Sequence, residues 1–388
     1  MDEIAHAMGM DPLELRRKNL IREGDVDPIA TQLGEGKEGF ERIIKSCGME
    51  ECIKKAGDGF IGRKQLKIDE PYNRKRRAVG FALCMHGTGI PGDDMAGATI
   101  KVNEDGSFNL LVGATDLGTG SDTVLAQMAA EILGVDLGDV VVYSSDTDFT
   151  PFDVGAYASS TTYVSGMAVV KAAEKVRDRL KTVAAELMGE DSENLDFADG
   201  VFVSGGGKRM HVKEVALKAF YGDSKQQIAE SASFLTFECP PPFCACFVEV
   251  EVDLDTGMVK VADIASAVDI GTAINPTLAE GQIIGSVAMA VGYALTEDMQ
   301  FSPEGRMLNA SFMDYKVPVS VDLPDIRVHI VETDEPTHPF GVKSVGEICL
   351  DNVAPAIANA IYNATGVRLR DLPFTPEKVL RALQEADA

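Results

Sequence analysis

The chain has 388 residues, 45% of them hydrophobic and 25% charged, the composition of a folded protein with material for more than one core. Disorder over most of its length is excluded. Lys and Arg total 36 against 61 Asp and Glu, a formal net charge of -25 that would repel phosphodiester backbones, so nucleic acid is not an expected partner. The longest nearly apolar stretch, Ile283 to Leu295, reads as too short to cross a bilayer, and Met1-Asp2-Glu3 lacks the basic start of a signal peptide, so neither a membrane nor a secretory route is expected. The seven cysteines (Cys47, Cys52, Cys84, Cys239, Cys244, Cys246 and Cys349) show no repeated paired spacing. That argues against a disulfide framework and fits a reducing cytoplasm. Cys239, Cys244 and Cys246 cluster, but a zinc or iron-sulfur site needs a fourth ligand and wider spacing, so buried thiols are the plainer reading.

In chain order, Asp2 to Met8 reads as the tail of a helix with a segment expected in front of it. Asp11-Pro12-Leu13-Glu14 supplies an N-cap, a proline at the first helical position and a capping-box acid for a short helix to Asn19. Phe40, Ile43, Ile44 and Cys47 predict a helix from Glu38 to Lys55, and basic Arg63 to Arg77 reads as a linker. From Ala78 the period becomes that of strands, with Glu104-Asp105-Gly106 turning an antiparallel hairpin. A helix over Asp122 to Leu133, a strand over Val140 to Ser144 and a long helix from about Val164 to Met188 follow. The run "GVFVSGGGKRMHV" reads as a hairpin; no helix is expected after its glycines, so a plain turn is favoured over a phosphate site. "CFVEVEVDLDTGMVKVADIASAVD" is a hairpin about Asp255-Thr256-Gly257, backed by a helix from Pro276 to Leu295. A strand at "DIRVHIVE" and helices over Ala354 to Asn363 and Pro376 to Glu385 complete the pattern. Strands and helices mix without regular crossovers, which predicts an α+β fold of mixed and antiparallel sheets packed with helices, in two subdomains.

Three glycine-punctuated loops lie between a strand and a helix, where backbone N–H groups are expected to be free to face an anion. The first, Ala114 to Thr123, contains Gly118-Thr119-Gly120-Ser121 and reads equally as a tight turn or a phosphate cradle; it fails as a dinucleotide fingerprint because Thr123 takes the third glycine position. The second, Gly155 to Thr162, is a run of small and hydroxyl residues that would admit a flat ligand or simply cap the long helix. The third, Phe340 to Glu347, sets Glu347 among apolar residues and glycines. Desolvation there could ready the carboxylate as a general base, and the bland alternative is a helix-dipole partner. The five histidines, His6, His86, His211, His329 and His338, lack paired ligand spacing, so no metal held by side chains is expected.

Taken together and in this order, the loops resemble the molybdenum-binding subunit of the xanthine dehydrogenase and aldehyde oxidase family. "GATDLGTGSDTVLAQMAAEILGV", "SSTTYVSGMAVVKAA", "DIGTAINPTLAEGQIIGSVAMAVGYALTED" and "FGVKSVGEICLDNVAPAIANAIYNATGVRLRDLPFTPEKVL" all look like that family, whose resemblance spans nearly the whole chain. It implies hydroxylation of an N-heterocyclic aromatic, nicotinate- or purine-like, or of an aldehyde, with oxygen drawn from water. The molybdenum would be held by a pterin, in a cytosine dinucleotide form, and electrons would leave through iron-sulfur clusters and FAD on partner subunits.

By the same resemblance Glu347 would be the catalytic base. Gly118, Thr119, Gly120 and Ser121, then Tyr157, Ala158, Ser159, Ser160 and Thr161, then Lys343, Ser344, Val345 and Gly346 would bind the cofactor. The family commonly has Gln where Thr119 stands, which shortens or removes one contact, and Thr88 falls where purine-oxidising members carry an aromatic clamp. Complete family subunits carry about as much chain again before the region that matches Met1. The resemblance therefore implies a C-terminal half, similar to the split subunit of nicotinate dehydrogenase, completed by an N-terminal half on a separate chain, in a dimer of heteromers. The face left by that division is expected to make the chain aggregate alone. Residues 1–75 are expected as a helical lead and linker, 76–225 as a first cofactor-binding subdomain and 226–388 as a second that carries the Glu347 loop. A scaffold that has lost cofactor binding is the rival reading.

Overall fold

The computed structural model describes residues 1–28, 41–223 and 225–387. In chain order the elements are α1 (Asp2–Ala7), α2 (Pro12–Lys18), α3 (Met49–Gly57), β1 (Leu66–Glu70), β2 (Asn73–Met85), β3 (Met95–Val102), β4 (Phe108–Val112), α4 (Ser121–Leu133), β5 (Val140–Ser144) and α5 (Thr161–Met188). There follow β6 (Leu195–Ala198), β7 (Val201–Ser204), β8 (Arg209–His211), α6 (Val212–Tyr221), β9 (Ala229–Leu235), β10 (Phe243–Asp253), β11 (Val259–Asp269) and α7 (Pro276–Leu295). The chain closes with β12 (Ile326–Val331), α8 (Ile348–Asp351), α9 (Val353–Thr365) and α10 (Pro376–Asp387). The sheets run β1-β2-β10-β11-β12, β5-β4-β3-β9 and β6-β7-β8. Among the described residues only β4/β5 and β11/β12 pair in parallel, so the fold is α+β with mixed and antiparallel sheets.

β10 shows why the central sheet is apolar on both sides. Cys244, Cys246, Val248 and Val250 point into one core with α7 and α9, while Phe243, Ala245 and Phe247 point into another with α3. Strand periodicity of two thus serves two cores at once. On β2, a Cβ at Gly80 would sit 2.2 Å from the backbone N of Ala360, so the absence of a side chain lets α9 lie directly on the strand. The other main core packs α4 and α5 against β3 and β4. The sheets exchange strands along the sequence: residue 76 lies inside β2, which pairs with β10, and β9 returns to pair with β3.

Five expectations need correction. The helix begins at Met49, not Glu38; Ile43 bridges Val26 in extended chain, with Ile43 exposed and Ile44 buried, a period of two that was read as helical. Phe40 and the start of that expected helix lie outside the described residues. The basic stretch 63–77 is no linker, because its cations pair with acids on neighbouring strands: Arg76 with Asp69 at 2.6 Å, Lys75 and Arg77 with Glu251 at 2.8 and 2.7 Å. After the glycine run 205–207 the short strand β8 leads straight into α6, which Val212, Val215, Ala216 and Ala219 pin to the core. The strands β6 and β9 are further elements that the alternation did not announce. The apolar segment ending at Leu295 is a helix of 20 residues, long and apolar enough by length and composition to cross a membrane. Here it packs one face onto α9, β11 and β12.

Candidate active site

The third loop is built from a buried anchor outward. Gly271 and Val342 bridge, and the Lys343 N–H donates to the Ile270 carbonyl at 2.8 Å, fixing the segment to the end of β11. Lys343 Nζ donates to Asp269 Oδ2 at 2.7 Å and to the Ser46 carbonyl at 3.1 Å, 5.3 Å from the Phe243 ring centroid. Both side chains of this ion pair have no exposure. Asp269 is otherwise saturated by Gly48 N–H, Gly271 N–H and the Thr333 hydroxyl, as a buried charge requires. Ser344 is also buried, its hydroxyl donating to the Gly87 carbonyl at 3.0 Å and its N–H to Thr88 Oγ1 at 3.2 Å. Thr88 itself is wholly buried and bonds the Pro240 carbonyl, so it stands beneath the loop rather than as the wall of a substrate pocket. Val345 borders a small cleft of about 60 Å³ with Thr119, Thr162 and Gln282, and the Gly346 carbonyl accepts from the Ser286 hydroxyl at 2.8 Å.

Exposure rises along this segment until Glu347, whose side chain is 54% exposed. Its Oε2 accepts from the Ser159 hydroxyl at 2.7 Å and lies 3.3 Å from His86 Nε2. On its other side the His86 ring places Nδ1 3.3 Å from Asp351 Oδ2. Burial pushes the Asp351 carboxyl up, with His86 opposing the shift. Among the described residues Glu347 therefore lacks the apolar, desolvated setting expected for it; polar side chains from two other loops, Ser159 and His86, position it instead.

The second loop is backbone-strained where it meets Glu347. Ala158 and Ser159 adopt φ of 49° and 55°, left-handed values that cost non-glycine residues on the order of 1–2 kcal/mol each. The surroundings hold them: Gly89 N–H donates to the Ala158 carbonyl at 2.8 Å, and Asp153 accepts from Gly155 N–H and the Ser165 hydroxyl. Ser160 occupies the N-cap of α5 without a capping bond; its hydroxyl turns back to the Tyr157 carbonyl at 3.1 Å. Thr161 is the first residue of α5. Tyr157, half exposed, interacts with Asp94, whose carboxyl burial pushes up against the opposing bonds from Ile90 N–H and Tyr157.

In the first loop three of the amides expected to be free near the start of α4 are occupied. Asp116 Oδ1 accepts from Gly118 N–H at 2.8 Å and Gly120 N–H at 3.1 Å, and Oδ2 from Asp122 N–H at 3.3 Å. Burial pushes that carboxyl up, but these N–H groups together outweigh burial and hold it low. A carboxylate at a helix start satisfies the same donors a phosphate would, so what the loop turns outward is the Thr119 side chain and the Gly118 carbonyl, 3.5 Å from Gln282 Nε2. Ser121 is buried and its hydroxyl has no hydrogen-bond partner among the described residues.

The fold thus brings Glu347, Gly346 and Ser159 together and sets Thr119 beside Val345, while Lys343 and Ser344 direct their side chains into the interior. His86, Asp351, Gln282 and Ser286 were not anticipated. Asp351 had a local signal, four residues after Glu347 and so one helical turn away. His86 had none, because only the pairing of β2 with β10 brings it to the loop.

A sequence profile described as "Molybdopterin cofactor-binding domain" matches residues 60–324, a stretch that contains the first two loops. The chain is 37% identical over 388 residues to a putative xanthine dehydrogenase molybdenum-binding subunit, XdhA, of Escherichia coli K12, covering 98% of this chain and 50% of that protein. It is 32% identical to the aldehyde oxidoreductase molybdenum-binding subunit PaoC of the same organism, covering 99% and 50%. Among solved structures, quinoline 2-oxidoreductase from Pseudomonas putida 86 superposes with a TM-score of 0.83 at 27% identity, covering 99% of this chain and 51% of that one. The chain spans about half the length of the curated relatives it matches. On the profile, the relatives and the three converging loops, this protein belongs to the molybdopterin cofactor-binding domain family, with the molybdenum-binding subunits of xanthine dehydrogenase and aldehyde oxidoreductase type as its relatives.

Proposed function

We propose that this chain is the C-terminal half of the molybdenum-binding subunit of a hydroxylase, with Glu347 as the base. Its substrate would be an N-heterocyclic aromatic, nicotinate- or purine-like, or an aldehyde. The observation that carries the reading is the Ser159–Glu347 bond of 2.7 Å, which joins two cofactor loops at a half-exposed carboxylate. The residues present suit a bound pterin group: Ser121 has an orphaned buried hydroxyl, and a Cβ at Gly118 would meet nothing within 4 Å. When bound, that group supplies the two-electron chemistry that replaces a C–H by C–OH with oxygen from water. The chain's residues do the rest. Glu347 receives the proton lost by the incoming oxygen, while Ser159 and His86 fix Oε2 so that its other oxygen is free to act. Thr119, Ser121 and the loop 157–161 would hold the cofactor, in its cytosine dinucleotide form, and the anchored run from Lys343 to Gly346 keeps the base in place.

The same reading assigns the missing N-terminal half to a separate chain, iron-sulfur clusters and FAD to further subunits, a dimer of heteromers to the assembly and the cytoplasm to its location. It rests on the half-length match and on the family's relatives. The rival, a scaffold without cofactor, is favoured by one observation: Asp116 already accepts from the Gly118 and Gly120 amides of the first loop. Molybdenum and nucleotide analysis of the complex purified through this chain decides between them. Stoichiometric metal with cytidine nucleotide, and a Glu347→Gln variant that keeps the metal but loses turnover, is the expected result; parental turnover in that variant would remove Glu347 as the base.

A further inference from the structure

The helix α7 is largely apolar yet covered on one side only. Ile283, Val287, Ala290, Val291, Gly292 and Ala294 are buried, whereas Gly281, Ile284, Gly285, Met289 and Tyr293 face outward at a spacing close to four residues. Met289 is 60% and Tyr293 55% exposed, and a Cβ at Gly281 or Gly285 would meet nothing within 4 Å. The chain that follows α7 is also rich in exposed apolar side chains. Met299, Phe301, Leu308, Phe312, Met313 and Val321 are exposed, on a segment braced at its base by Thr296 to the Lys316 carbonyl, Tyr315 to Glu297 and Asn309 to the Asp298 carbonyl. An apolar surface held in place, rather than frayed, is the mark of an interface.

We infer that this face docks the polypeptide corresponding to the half of the relatives that the present chain does not span, with a helix of that polypeptide laid across Gly281 and Gly285. The inference rests on the proposed separate chain for that half and adds where it binds. Two glycines one turn apart leave a notch in which a partner backbone approaches closely, a feature of no use to a lipid surface. Glu280 is the sole charged residue of the helix, and a chain of net charge -25 has no attraction for anionic headgroups. The flank of the same helix, one residue on from each glycine, meets the first and third loops through Gln282 to the Gly118 carbonyl and Ser286 to the Gly346 carbonyl. A polypeptide seated on Gly281 and Gly285 is therefore beside the site that its half must complete.

The test places the photo-crosslinking residue p-benzoylphenylalanine at Tyr293 and, as a control, at exposed Tyr72, in the complex purified through this chain. Crosslinks from position 293, but not 72, to a polypeptide matching the other half of the relatives are expected. A Gly285→Leu variant, which keeps a helix-favouring residue on an exposed face, should lower the amount of that polypeptide recovered at least tenfold without changing the melting temperature of this chain. Crosslinks to a second copy of this chain, Met289-dependent sedimentation with phosphatidylcholine vesicles, or undiminished recovery with Gly285→Leu would each overturn the assignment. A correctly crosslinked complex without molybdenum would sink the proposed function and leave the interface standing; an active complex crosslinked elsewhere would do the reverse.

Discussion

Lys343 and Glu347 are four residues apart in one loop, and the molecule treats them in opposite ways. Lys343 has no exposure and is tied to Asp269, the Ser46 carbonyl and the face of Phe243. Glu347 is half exposed and, among the described residues, is met by the Ser159 and His86 side chains that arrive from other loops. The buried pair removes freedom from the loop, so that the exposed carboxylate four residues on has a defined place. The difference teaches that anchoring and solvent access are assigned to separate residues of one segment, the division that the proposed role of Glu347 as the base requires.

That division can be broken first at its anchor. Lys343→Met strands the Asp269 charge in the interior and should cost about 3–5 kcal/mol of stability, the usual penalty for half of a buried pair, read as a loss of urea midpoint at an unchanged slope. At the working end the expectation is reversed. Glu347→Gln should lower kcat about 10²–10⁴-fold, as for loss of a general base, while its urea midpoint stays within about 0.5 kcal/mol of the parent; a large stability loss would show that the two ends are not distinct.

The buried side is also where acid should act. His338, five residues before Lys343, is 3% exposed, its Nδ1 accepts from Phe340 N–H, and burial pushes it down to about 4. Unfolded, the group titrates near 6.5, so between those values the unfolded chain binds more protons and stability falls as pH falls. About 3 kcal/mol is at stake across that window. Unfolding at pH 7 and pH 4.5 should show a larger drop for the parent than for His338→Gln, and equal drops would refute the assignment. The smallest effect sharpens the exposed end: Ser159→Ala removes one bond to Glu347, worth about 1 kcal/mol, and should slow turnover a few-fold with no change in unfolding.

Local patterns carried much of this structure. The Asp11 cap on α2 is there in the bonds to Leu13 and Glu14 N–H, and the Glu104-Asp105-Gly106 and Asp255-Thr256-Gly257 turns join paired strands, because caps and tight turns are settled by neighbouring residues. Failures came where a distant partner decides. The cations of 63–77 read as a linker until Glu251 stands opposite them, and the first loop reads equally as a tight turn or a phosphate cradle until Asp116 folds back on it.

The sequence by itself determined the family, many of the strands and helices, and Glu347 as the acid of the third loop, since motif order and short-range periodicity are written residue by residue. Only the tertiary structure decided that Lys343 and Ser344 turn inward, that Ser159 and His86 hold the carboxylate, and that one side of α7 is left uncovered. Each of those depends on contacts between segments scores to hundreds of residues apart, and burial and hydrogen-bond satisfaction are properties of the packed chain, not of its neighbours in sequence.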